Sequence, residues 1–468
     1  NNMNDTNINL DNNSEVSKAW TQLLGTSKSE EARALTTGVD GSIYIAGYTK
    51  GDLNGQSNSG EKWEPFLSKY DADGTKDWTQ LLGSSEDENA FALTTGSDGS
   101  IYIAGQAGGN LDGKNNSGNY DAFLTKYDPD GNKDWTQLLG TSGYDAARAL
   151  TTGNNGSIYI DGLTGGDLDG KNNSGGYDAF LSKYDPNGNQ KWTQLLGSSD
   201  YEEAHALTTG SDGSIYIAGT TYGDLDGNTN SGKYDAFLTK YDADGTKKWT
   251  QLLGSSSDEY AKALTTGSGG SIYIAGYTDG DLDGQKNTGD SDAFLSKYDA
   301  DGTNKWTQTL GSSSDSWTGA HEFAEALATG SDGSIYIAGY TNGTLDGQIN
   351  NGSYDPFLTK YDPDGNKDWT QLFGSTDYEE THALTTGSDG SIYIAGYTGG
   401  DLDGQINNGE LDAFLSKFID HSISTTPTPN FSVNTSTNSL NEGETLTTDI
   451  KTTDLSQGSE VFWALEGE

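Results

Sequence analysis

The chain has 468 residues, 70 Asp and Glu against 26 Lys and Arg, a formal charge of −44 and no cysteine. That balance leaves no basic footprint for a phosphate backbone or an anionic membrane, and the missing thiols exclude disulfides, thiolate metal sites and a cysteine nucleophile. With 65 Gly, 7 Pro, 26 Tyr and 10 Trp, the composition describes short strands joined by glycine turns, and no apolar run is long enough to span a bilayer.

Residues 1–15 form a polar extension without the charged and apolar blocks of a signal peptide, as in a mature or trimmed chain. Residues 16–420 then repeat one phrase seven times, anchored by Trp20, Trp78, Trp135, Trp192, Trp249, Trp306 and Trp369 at steps of 57 or 58 residues and once 63. A fixed period means stacked units, none of which buries its apolar faces alone. The copy that starts at Trp192 holds four segments of strand character, "WTQLLG", "AHALTTG", "SIYIAGTT" and "DAFLTKYD". Ile215 and Ile217 point one way along their strand and Tyr216 and Ala218 the other, so both faces are apolar and both must be covered. Asp212–Gly213 and Asp244–Gly245 mark hairpins.

These patterns predict an all-β chain, a seven-bladed β-propeller of four-stranded antiparallel blades. The first "WTQLLG" strand, from Trp20, has no preceding partner, and the last strand, from Asp412 to Phe418, has no following one. The last blade is therefore expected to close with the N-terminal strand, which leaves no open edge. Blades then begin near Ala32, Ala90, Ala147, Ala204, Ala261, Ala324 and Thr381.

Segments such as "GSIYIAGYT" and "FLSKYDADGTKDW", with the small-residue "GSS" turn, resemble the bacterial β-propeller repeat family often called SBBP. The resemblance covers about Trp20 to Phe418. It implies a propeller on a secreted or cell-surface protein, often beside sandwich domains, and says little about ligands.

Compact propeller repeats take about 40 to 45 residues, so each copy carries about a dozen more, gathered in the loop between "SIYIAG" and "DAFL". In a meander this loop emerges on the same face of the disc as the connection "GSSDYEEA" that leads into the next inner strand. Every copy of that connection carries an acid: Glu30, Glu88, Asp145, Glu202, Glu259, Glu322 and Glu379. Every copy also has an acid at the entry of the strand after the long loop: Glu64, Asp121, Asp178, Asp235, Asp292, Asp355 and Asp412. Inside the loop a D-L-D-G motif adds Asp167 with Asp169, Asp224 with Asp226, Asp281 with Asp283 and Asp401 with Asp403. Asp112 and Asp346 keep only the second acid of the motif, and Asp52 only the first. Oxygen ligands at loop positions one, three and twelve, with a glycine turn and an amide at seven, suit calcium. Ca2+ is thus the expected cofactor, with the connection acids as additional ligands. The alternative is that these side chains cap turns by bonding to their own backbone.

One inner-strand position varies while its neighbours repeat: Arg33, Phe91, Arg148, His205, Lys262, Glu325 and His382. Its basic members suit an anionic or sugar ligand on the axis, or else ion pairs with the acids nearby. The sixth copy has a longer approach with Trp317, an aromatic suited to stacking on a sugar or simply a tolerated insertion. Residues 421–430, with "STTPTPN", read as an extended linker. Residues 431–468 resemble the opening strands of Calx-beta and cadherin-like sandwich modules but are short for a sandwich of about 100 residues. Either the chain was cut from something longer or another molecule completes these strands; residues 1–13 offer a strand to donate, so head-to-tail linkage of subunits or modules is expected, a contact that could build a filament.

Three functions compete. The first is a non-enzymatic, calcium-stabilised secreted or cell-surface propeller for adhesion, assembly or extracellular matrix, with protein partners or copies of itself. The second is a carbohydrate-binding propeller. The third, an enzyme that cleaves polysaccharide with paired carboxylates, ranks last because seven near-equivalent sites offer no unique acid and base.

Overall fold

Every repeat supplies a strand that is apolar on both faces, and such a strand cannot lie at a surface. The computed structural model describes residues 15–58, 62–312 and 319–422, and the backbone of 431–435 and 448–452. The chain divides into two units, Asn1–Asp420 and His421–Glu468. In the first, seven four-stranded antiparallel sheets follow one another, so the fold is a seven-bladed β-propeller. The fourth blade runs Glu202–Thr209, Ile215–Thr221, Asp235–Tyr241 and Lys247–Leu253, from the axis outward. Ile215–Thr221 is buried at every position, whereas Lys247–Leu253 is buried only at Thr250 and Leu253.

The seventh blade takes three strands from one end of the array, Glu379–Thr386, Ser391–Thr398 and Asp412–Asp420, and its outer strand, Val16–Leu24, from the other. The closure repeats what the other blades do within themselves. Thr21 and Ser416 hydroxyls meet at 2.7 Å, as Thr239 and Thr250 do at 3.0 Å in the fourth blade.

One apolar cluster fills each junction between blades. Between the third and fourth, Tyr159, Ala179 and Leu181 pack on Ile215, Ile217, Phe237 and Tyr241. A fully buried Phe or Ile contributes about 1.5–3 kcal/mol, whereas an exposed ion pair contributes about 0–1, so these clusters hold the ring. The anchoring tryptophans pack at its outer edge. Trp192 lies 6.1 Å from Tyr159 and against Gly245 of the next blade. A Cβ at Gly245 would come within 3.0 Å of that indole, and its φ of 83° also demands glycine.

Polar contacts stitch the hairpin face. Lys183 donates to the Ala243 carbonyl at 3.0 Å, and Lys417 to Ala72 across the closure at 3.4 Å. Inner strands start two residues ahead of the expected alanines, at Glu30, Glu88, Asp145, Glu202, Glu259, Glu322 and Glu379. The reason is a backbone latch from the preceding blade: the Glu202 N–H donates to the Tyr177 carbonyl at 2.8 Å, and the same bond recurs at all seven junctions. In the second unit Phe431–Thr435 pairs antiparallel with Thr448–Thr452. The donated strand expected in residues 1–13 lies outside the described residues.

Asp161 breaks the repeat. Its counterparts in the other six blades are Ala46, Ala104, Ala218, Ala275, Ala338 and Ala395, all in strands facing the next blade. Both its carboxylate oxygens are buried without a hydrogen-bond partner, and burial pushes the group well above the ordinary carboxyl range. Asp161→Ala should therefore raise stability, by about 1–3 kcal/mol in denaturant unfolding. A destabilised Asp161→Ala protein would mean that the carboxyl has a partner in solution.

Candidate functional site

The acids predicted at the two rim positions converge in pairs, one pair per junction. The connection acids, from Glu30 to Glu379, are each 0% exposed, and the entry acids, from Glu64 to Asp412, are 2% or less. Each connection acid closes the small-residue turn ahead of it. Glu202 accepts from the Ser198 N–H and hydroxyl at 2.6 Å each and from Thr221 of its own blade at 2.7 Å. Across the junction, Asp178 accepts from the Ser174 N–H at 2.9 Å, which ends the long loop. Gly197 lets the two come together, since a Cβ there would lie 2.2 Å from the Asp178 carboxyl carbon. The Oδ1 atoms of Asp121, Asp178, Asp235 and Asp412 are buried without a hydrogen-bond partner. Burial, followed by the like charge across the junction, raises Glu30, Glu88, Glu202 and Glu259, and pushes Glu322 up to about 7. Burial raises Asp121, Asp178, Asp235, Asp292, Asp355 and Asp412 as well.

The long-loop aspartates do not join these pairs. The first of each motif caps its own loop: Asp52, Asp167, Asp224, Asp281 and Asp401 accept from the backbone N–H six residues on, at 2.8–3.0 Å. The second sits at a φ near +50° in the tight turn and reaches the outer strand. There Asp112 binds Lys133 and Thr136, Asp169 binds Gln190 and Thr193, and Asp226 binds Lys247 and Thr250. Asp283 meets Asn304 and Thr307, Asp346 meets Lys367, and Asp403 meets Lys18 and Thr21 at the closure. Among the described residues no three His, Asp or Glu side chains gather as a metal cluster.

The variable inner-strand residues line the axis, and a β-bulge puts them there. The register between inner and second strand slips at Arg33, Phe91, Arg148, His205, Lys262, Glu325 and His382, so each is the extra residue of its strand, turned toward the channel. The slip faces a glycine, as at Gly219, where a Cβ would lie 2.0 Å from the Glu203 carbonyl oxygen. Together with Tyr48 and Glu203 these seven side chains enclose a funnel of about 440 Å³. Below it the channel is lined by alanine and leucine.

Arg33, Arg148 and His382 are paired, but not with the junction acids. Arg33 donates to Glu31 at 2.5 Å and to the Tyr48 hydroxyl at 2.9 Å, and Arg148 donates to Glu203 at 2.7 Å. His382 meets Glu380 and Arg33 at 2.9 and 3.0 Å. Burial, then the charge of Lys262, pushes His205 down to about 3, and burial, then Arg33, pushes His382 down to about 4, so both are neutral at pH 7. Arg33, Arg148 and Lys262 face Glu31, Glu203, Glu325 and Glu380, and the funnel has no surplus of positive charge.

Sequence reasoning missed a belt of aromatic rings around the mouth. Centroids 4.7–6.4 Å apart run from Tyr120 through Tyr144, Tyr177, Tyr201, Tyr234, Tyr260, Tyr277, Phe323, Tyr340, Tyr354 and Tyr378 to Tyr397. Arg33 then bridges Tyr397 and Tyr48, 5.4 Å from each ring, Tyr48 meets Phe91 at 6.1 Å, and Arg148 lies over Phe91 at 4.7 Å and beside Tyr144. The signal was present as the residue just ahead of two acids per copy, for example Tyr177 before Asp178 and Tyr201 before Glu202. Trp317 lies outside the described residues.

The fold and its internal repeat define a β-propeller repeat protein. A family model described as a domain of unknown function (DUF5122) beta-propeller matches residues 330–370. The chain is 29% identical over 438 residues to the regulatory protein FlaEY of Caulobacter vibrioides, covering 82% of this chain and 45% of that protein. It is 21% identical over 537 residues to a WD repeat-containing protein of Acanthamoeba polyphaga mimivirus, covering 86% and 38%. The chain thus spans less than half the length of either relative. The WD40 domain of Neurospora crassa Pan2 superposes with a TM-score of 0.46 at 10% identity, over 82% of this chain and 88% of that one.

The junction pairs set a pH dependence. A carboxyl whose folded pKa is raised contributes stability that is complete below its unfolded value, near 4, and is lost as pH rises through the folded value. Asp128, held low by Asn132, and Asp185, held low by Lys191 and Asn189, act in the opposite sense below about pH 4. With chelator present, the melting temperature should peak between about pH 4 and 5 and fall by several degrees toward pH 8. A melting temperature that climbs from pH 5 to 8 contradicts the assignment.

Proposed function

We propose that this protein is a non-enzymatic binding propeller, secreted or on the cell surface, that takes its partner at the axial mouth of the long-loop face in adhesion or assembly. One observation carries the reading. Junction acids, backbone latches and interblade clusters recur from copy to copy, whereas the bulge residues differ in type around the ring, and those are the side chains that line the funnel. A repeated frame with variation at its axis supports one site rather than seven. The aromatic belt supplies large, stiff contact area with hydroxyl handles. The paired carboxylates are sealed from solvent and offer a polysaccharide no general acid or nucleophile.

In this reading calcium belongs at the blade junctions. Four entry acids there have a buried oxygen without a partner beside a second carboxylate, which suits a hard cation, or a proton in its place. The loop aspartates are already taken by lysine, threonine and their own backbone. We further assign Phe431–Thr435 and Thr448–Thr452 to a sheet completed by additional strands, because a lone hairpin is marginal in water. Such completion suits head-to-tail assembly.

At about pH 7.5, calcium added to chelator-treated protein should raise the melting temperature by several degrees, and the rise should shrink as pH falls toward about 4.5, since burial favours the protonated form of carboxyls such as Asp178 and Glu202. No rise at neutral pH removes the cation from the account. For the mouth, a mixed array of immobilised glycans and matrix proteins is the probe. Truncating Tyr222, which is 44% exposed and whose ring stands 5.1 Å from Tyr234 of the belt, or Tyr354 to Ala should weaken binding about three- to tenfold, and Val39→Ser on the opposite face should not. Binding indifferent to both tyrosines refutes an axial site.

A further inference from the structure

The funnel is not uniform around its circumference. Three of its seven bulge residues have hydrogen-bonded polar partners, Arg33, Arg148 and His382, and His205 lies 3.8 Å from Glu203. Lys262 and Glu325, on the neighbouring fifth and sixth blades, make no hydrogen bond or ion pair among the described residues. Burial raises Glu325 while the charge of Lys262 acts to lower it, yet no ammonium-to-carboxylate distance falls within 4.0 Å. Both are half-buried in the funnel wall. An ammonium whose contact is the Tyr260 ring, 5.9 Å from its centroid, and a carboxylate without a hydrogen bond, held apart in a partly desolvated cavity, are costly unless something fits between them.

Beside them the aromatic belt is at its tightest. Tyr260 stacks on Tyr277 at 4.7 Å and 25°, and Tyr277 meets Phe323 edge-on at 4.7 Å. The phenol and phenyl rings form an apolar wall next to one strong donor and one strong acceptor.

We infer that the Lys262 and Glu325 side of the funnel, with the belt rings of Tyr260, Tyr277 and Phe323 beside it, is a subsite for a neutral saccharide, whose C–H face meets the edges of those rings while adjacent hydroxyls bridge Lys262 and Glu325. The assignment rests on the axial mouth being the binding site, and names its ligand class. A pyranose presents both surfaces that the wall requires, a C–H face and a rim of hydroxyls that donate and accept. An anionic ligand would meet Glu325 and a cationic one Lys262, so each charge selects against one kind of charged ligand. About 440 Å³ is within the range of small-molecule sites and has room for one or two sugar rings. The partnered Arg33 and Arg148 hold the opposite wall and offer no second subsite, so one ligand binds per seven blades.

The full chain is tested on an array of neutral and acidic oligosaccharides, with cellobiose, lactose and a galacturonic acid dimer titrated in solution by calorimetry. Neutral sugars are expected to bind at one per chain and the uronate dimer more weakly. Lys262→Met and Glu325→Gln should each reduce affinity about tenfold without lowering the melting temperature by more than about a degree or two, because each removes a partly desolvated charge and Lys262 loses only its place over the Tyr260 ring. Asp130→Asn, on the hairpin face, should bind as the wild type does. Neutral-sugar binding that survives both funnel substitutions overturns the subsite while the mouth stands. Absence of any sugar binding, in a protein whose array binding still depends on Tyr222 and Tyr354, overturns the saccharide class alone. Indifference to all four positions overturns the axial site itself.

Discussion

The contact between neighbouring blades is the constraint on which the molecule depends. The second and third strands of each blade are apolar on both faces, and each face finds cover only against the adjoining blade. A ring is the arrangement in which all seven blades obtain that cover at once. The exchange of one strand between the two ends of the array follows directly, since without Val16–Leu24 the seventh blade would end on the open edge of Asp412–Asp420.

At the long-loop rim the same contact is polar, and its chemistry is unusual for a chain of net charge −44. Two carboxylates meet at each junction, as Asp178 and Glu202 do, whereas lysines such as Lys247 are spent on the exposed loop turns. Desolvation and repulsion both favour neutralising such a pair, by a proton or a cation, and hydrogen bonds from serine and threonine favour keeping it ionised. The junction therefore responds to its solution in a way that the apolar cluster beneath it does not. Backbone latches such as Glu202 to Tyr177 hold the long loop over the pair, so loop, linker and acid form one unit.

The funnel shows how a repeated frame supports a unique site. A β-bulge opposite a close-packed glycine turns one side chain per blade to the axis, and the frame constrains its backbone without constraining its type. Arginine, histidine, phenylalanine, lysine and glutamate all occur there. Pairing is then decided by neighbours one blade away: Arg33 of the first blade meets His382 of the seventh, and its guanidinium joins the tyrosines of both.

The repeat, the strand count, the closure of the ring and the gathering of acids on one face were all legible in one-dimensional pattern, because period, alternation and turn residues act locally and recur. So was the variable position on the inner strand. Of what the acids do, the capping of its own loop by Asp167 was one of the two readings open to the sequence, but the reach of Asp169, two residues on, to the outer strand was not legible. The partnership of Asp178 with Glu202, the re-aiming of His205 by a bulge and the belt of rings from Tyr120 to Phe91, bridged by Arg33 and Arg148, were decided by the tertiary structure alone. Each joins groups from different blades or depends on a one-residue slip in register. Their distances are set by how whole sheets pack around an axis, which no spacing along the chain encodes.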